Sequence, residues 1–107
     1  MNIEDTVEKM LAAAEQAAGV HWQDMKGYLA NEFARAKEEA AAIALEVAQG
    51  TKTPAQAKIE IEAIEASLRD IKLALSVDAK AAAQDAINAA LDVLRAAIND
   101  AAKVPIF

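Results

Sequence analysis

The sequence predicts an all-α fold with long helices and one sharp turn, on three observations. Apolar residues recur at alternating steps of three and four along most of the chain. Gly and Pro number only three and two in 107 residues, the composition of a helical protein rather than a disordered one. A helix stop and a helix start also meet in Gln49-Gly50-Thr51-Lys52-Thr53-Pro54. Gly50 suits the left-handed position just past a helix end, because it has no Cβ to clash. Thr53 can accept a backbone N–H from the next helix, and Pro54 fits the first helical position, where its missing N–H costs nothing. The segments on either side, 3–49 and 54–103, are nearly equal in length. They read as the two arms of a long antiparallel helical hairpin.

In the first arm, Ile3, Val7, Met10, Ala14 and Ala17 share one helical face, with Leu11 beside them. Glu4, Asp5 and Glu8 lie in the first turns, where the helix dipole favours anions. Gly19-Val20 is either a joint or a weak point in a longer helix. From His21 the stripe resumes as Trp22, Met25, Leu29, Phe33, Ala36, Ala40, Ile43 and Val47, opposite a charged face of Lys26, Arg35, Lys37, Glu38, Glu39 and Glu46. Three of the four aromatics, Trp22, Tyr28 and Phe33, fall together, so the bulkiest part of the core is expected there.

The second arm opens with Ala57, Ile61, Ile64, Leu68, Ile71 and Leu75 at heptad spacing, flanked by Lys58, Glu62, Glu65, Arg69 and Lys72. The register then breaks. Beyond it the stripe is Ile87, Leu91, Leu94 and Ile98, with Ala83, Ala90, Ala97 and Ala101 alongside. Asp78, Asp85 and Asp92, then Asn99, recur every seven residues on the far side. The offset from Leu75 to Leu91 is not one a coiled coil absorbs easily, so Ser76-Val77-Asp78 is either a kink or a true break, with Ser76 or Asp78 as the new cap. Val104-Pro105-Ile106-Phe107 leaves the helix at Pro105. In a hairpin it arrives near Ile3 and Val7, which could cover its apolar side chains.

Two architectures follow. Unbroken, each arm would be ~70–75 Å long at 1.5 Å per residue. Such a hairpin has too little shared interior and is expected to dimerise into a four-helix bundle. Broken near Gly19 and Ser76, the chain instead makes a compact monomeric four-helix bundle. The elongated, self-associating form is the expectation, and the compact monomer is its alternative. Either way the chain is a single all-helical domain, 1–107.

Bulk composition narrows function. The formal charge of −6, with 11 basic residues scattered among 17 acids, argues against nucleic acid and anionic membranes as partners. Cysteine is absent, which removes disulfide and thiol chemistry. Met1-Asn2-Ile3-Glu4-Asp5 lacks the basic start and apolar run of a signal peptide, and no stretch approaches 18 uncharged apolar residues. A soluble, cytoplasmic protein is expected.

Catalytic and metal patterns are weak. His21 is the single histidine and has no Glu three residues before it, so a paired-metal bundle site is not encoded. His21 and Asp24 would supply two ligands, whereas zinc needs a third and usually a fourth. Ser67 and Ser76 lack a motif that would place a base beside them, and Glu60, Glu62 and Glu65 read as a solvated face. No enzyme, cofactor, metal or small-molecule substrate is expected.

The Trp22, Met25, Leu29 and Phe33 stripe, with Ile87, Leu91, Leu94 and Ile98, is therefore a candidate interaction surface as well as core. In an obligate dimer the two roles coincide. Asp78, Asp85, Asp92 and Asp100 form a candidate acidic stripe. In length and plan the chain resembles the small secreted helical hairpins with a Trp-x-Gly turn. Its own turn is Gly50-Thr51-Lys52-Thr53-Pro54, with Trp22 far from it, so the likeness is one of shape and carries no function. The expected function is a non-enzymatic structural or protein-interaction module, a homodimer that also binds another protein, of the kind found among phage or mobile-element accessory proteins and assembly chaperones. The alternative is a small acidic inhibitor of a basic site on a nucleic-acid-handling protein.

Overall fold

The structure, a computed structural model, describes residues 5–71 and 75–107, the side chains of 77 and 78 excepted. It is helical throughout, with α1 at Thr6–Ala18, α2 at Trp22–Ala48, α3 at Pro54–Asp70 and α4 at Val77–Ala102. A short 3-10 turn, Gly19–His21, joins α1 to α2. No strand occurs among the described residues.

The turn between α2 and α3 forms for the reasons its residues suggest. Gly50 takes φ 79°. Its N–H donates to the Val47 carbonyl at 3.0 Å, and the Thr51 N–H donates to Glu46 at 2.9 Å. These paired bonds are a Schellman motif and satisfy carbonyls that the helix end would otherwise strand. On the other side, the Gln56 N–H donates to Thr53 Oγ1 at 3.2 Å and the Thr53 N–H to Gln56 Oε1 at 3.1 Å. With Pro54 at the first helical position this is a complete capping box.

The elongated arms do not form. The molecule measures 44 × 23 × 19 Å, well short of the ~70 Å an unbroken arm needs. At α1, the cause is Gly19. It adopts φ 58° and ψ −127°, a combination open essentially only to glycine, and it turns the chain so that α1 packs back on both α2 and α4. In the second arm, α3 and α4 lie antiparallel. Arg95 reaches Glu65, thirty residues away, and Arg69 reaches Asn88. Ser76 stands at the N-cap of α4 with extended backbone. The register offset between Leu75 and Leu91 thus marks a true break. The four helices of the described residues share one core, with a radius of gyration of 13.8 Å, against about 13 Å expected for a compact domain of this length.

The pattern of burial follows the stripes with one systematic shift. Trp22, Met25, Leu29, Phe33, Ala36, Ala40 and Val47 are buried on α2, and Ala57, Ile61, Leu68 and Ile71 in the α3 region. On α1, however, the buried set is Thr6, Met10, Ala14 and Ala18, with Ala17 exposed. Ala44 replaces Ile43 as the fully buried residue near the end of α2, Glu65 replaces Ile64 on α3, and Ala102 replaces Ala101 on α4. Steps of four carry the buried face about 40° round the helix each time. Crossing straight helices need this drift, whereas a heptad seam would require supercoiling. Tyr28 is a second correction. It is 47 % exposed, so the aromatic part of the core is Trp22 and Phe33 without it.

α1 makes its largest contact with α4. Both helices bury small residues: Ala14 and Ala18 on α1, and Ala79, Ala83, Ala86, Ala90 and Ala97 on α4. Alanine at such positions lets helix backbones approach closely, and it is also the best helix former.

Candidate functional site

The eight residues of the candidate interaction surface, Trp22, Met25, Leu29, Phe33, Ile87, Leu91, Leu94 and Ile98, are at most 5 % exposed. The folded chain uses them as its core, one of the two roles the sequence left open. The compact fold pairs the stripes within one chain, so no second copy is needed to cover them. Of the acidic stripe, Asp85, Asp92 and Asp100 are exposed along α4, while the Asp78 side chain lies outside the described residues. His21 stands 3.9 Å from Asp24. Among the described residues no three His, Cys, Asp or Glu side chains are placed to hold a metal ion, and no helix there is long and apolar enough to cross a membrane.

Two features outside the expected set stand out. At the end of the α2–α3 hairpin, Lys52 bridges Glu46 on α2, at 3.3 Å, and Glu60 on α3. Its pKa is raised, chiefly by the hydrogen bond to Glu60 and against an opposing desolvation. The clamp joins the two helices across the turn. Outside it, Leu45 is 56 % exposed and Ile59 71 % exposed, and Ile59 lines a shallow depression with Thr51, Lys52, Gln56 and Glu60. Each helix of this hydrogen-bonded corner therefore presents one large aliphatic side chain to solvent.

The second feature lies between α3 and α4. Glu65 is 1 % exposed, yet it is a carboxylate. Arg95 meets it with a two-pronged fork, Nε to Oε2 at 2.6 Å and Nη2 to Oε1 at 2.8 Å. The guanidinium pKa is raised by that hydrogen bond, which outweighs the cost of partial burial. Arg95 also lies 4.4 Å from the centre of the Phe107 ring. Next to it, Asn99 binds the backbone of residues 106 and 107.

Sequence reasoning missed this cluster because each member was assigned to solvent. Glu65 sits among charged flanking residues, Arg95 lies among the acids of the α4 stripe, and Asn99 reads as a continuation of the Asp register. The available signal was the type change at 99, since an amide both donates and accepts where Asp only accepts. Val104-Pro105-Ile106-Phe107 docks on α4 through Asn99 and Arg95. Of the two residues expected to cover it, Ile3 lies outside the described residues and Val7 is half-buried.

Between α2 and α3, Glu32, Arg35, Ala36, Glu39, Ile64, Ser67 and Leu68 line a groove of about 140 Å³. Arg35 pairs with Glu32 at 3.5 Å along its rim. Ser67 has no histidine beside it in this groove, so it is not arranged as an activated nucleophile.

No protein-family model matches the chain, and neither a curated protein nor a solved structure shows significant similarity to it.

Proposed function

We propose that the chain is a non-enzymatic helical interaction module that binds protein, a second copy of itself included, through the end of the α2–α3 hairpin. The observation that carries this reading is the pair Leu45 and Ile59, left exposed on a corner fixed by a Schellman motif, a capping box and the Lys52 clamp. Single exposed aliphatic residues are ordinary. Here there is one on each helix of a turn fixed by local hydrogen bonds, so each offers an apolar contact on backbone that needs little ordering on binding. Sedimentation equilibrium at micromolar concentration is expected to give about twice 11.3 kDa for the native chain. Leu45→Ser/Ile59→Ser should return it to a single chain. A native protein that stays monomeric throughout would defeat the homotypic part of the proposal.

The acidic-inhibitor reading is favoured by the exposure of Asp85 and Asp92, one heptad apart on α4, with Asp100 beyond them. It predicts binding to a basic protein surface that weakens steeply with added salt. Contacts through Leu45 and Ile59 would change little.

A further inference from the structure

The segment after α4 is held the way a bound peptide is held. Asn99 Oδ1 accepts the backbone N–H groups of Ile106, at 2.8 Å, and Phe107, at 3.1 Å, while Asn99 Nδ2 donates to the Phe107 backbone oxygen at 3.3 Å. All three bonds read main chain, as in the recognition of extended peptides. An aspartate here could accept the two N–H groups but could not donate the third bond. Specificity comes from the side chains. Ile106 is buried, and the Phe107 ring packs against a guanidinium whose plane is fixed by Glu65. By contrast, Lys103, Val104 and Pro105 are exposed, so the segment is anchored only at its last two residues. Lys103 ends α4 in the left-handed conformation, with φ 63°, the one non-glycine positive φ among the described residues, and turns the chain back toward Asn99.

We propose that residues 104–107 are an exchangeable strap, and that their seat at Asn99 and Arg95 is a docking site for an extended partner peptide carrying an aliphatic residue followed by an aromatic one. The tethered segment occupies the seat at high effective concentration, so a partner enters only as the strap leaves.

The test uses the full chain carrying Ile106→Ala/Phe107→Ala, which weakens the strap, with a pentapeptide of the sequence of residues 103–107 as probe. By NMR, the peptide should shift the Asn99 side-chain amide and the Arg95 Nε–H saturably. In the native chain, where the strap competes, binding should be weaker by about ten-fold or more. Adding Asn99→Ala to the variant, or changing the phenylalanine of the peptide to alanine, should abolish the shifts. No saturable shift, or shifts indifferent to Asn99→Ala, would overturn the proposal. So would loss of the helical fold in the double variant, because the segment would then be a fixed part of the core and not a strap.

Discussion

At the scale of single residues, the Glu65–Arg95 pair stands out because it places a carboxylate among the apolar residues of the core. The two partners are unequally placed. Glu65 is 1 % exposed, whereas the Arg95 side chain is 37 % exposed. Removing a partner from a buried pair costs ~3–5 kcal/mol when the remaining charge cannot reach water. Arg95→Leu leaves such a carboxylate, so its cost should fall toward that range. Glu65→Leu leaves a guanidinium that can turn outward, so it should cost distinctly less. Urea denaturation of the two variants measures this, and equal losses would mean that water reaches Glu65. The pair also shows why the residue scale is the least legible in sequence. A charged residue beside Ile64 looks like a flank. Only the crossing of α3 over α4, with Arg95 one turn below Asn99, makes it interior.

At the scale of elements, both ends of the α2–α3 turn were legible, because their bonds are local. A glycine, a threonine and a proline at fixed offsets specify the Schellman motif and the capping box without help from the rest of the fold. Gly50 has open space where a Cβ would go, so Gly50→Val should lose stability through backbone conformation alone, by ~1 kcal/mol or more. Thermal melts check this, and an unchanged midpoint would remove Gly50 as the helix terminator. The breaks at Gly19 and Ser76 were visible as positions but not as reversals, since a glycine or a register offset does not say how far the chain turns. Packing decides that. α4 tests the packing directly. Ala90 is fully buried, and Ala89, about 100° further round, is half-buried. Leucine at 90 adds three carbons to a close-packed interior and should cost ~1–3 kcal/mol. Ala89→Leu should cost less, and the reverse order would rotate α4 away from the position described here.

At the scale of the whole molecule, the length of the bundle is set by its longest helix. α2 has 27 residues, or about 40 Å at 1.5 Å per residue, and nearly fills the 44 Å axis. Leu45, three residues before its end, therefore lies close to one end of the body. This placement separates three modes of pairing by shape. Copies joined through the hairpin corner overlap only over their last turns, so the longest dimension of the pair should approach twice 44 Å, about 88 Å. Bundles packed side by side would stay near 44 Å, and a dimer of unbroken hairpins would measure ~70 Å. Small-angle scattering on the dimeric fraction distinguishes these. The expected result is an elongated pair that collapses to the single 44 Å body in Leu45→Ser/Ile59→Ser. A dimer no longer than one bundle would move the interface from the corner to a helix face, and the exposed side of α4 with Asp85 and Asp92 would be poorly suited to it, because like charges would then oppose one another across the contact.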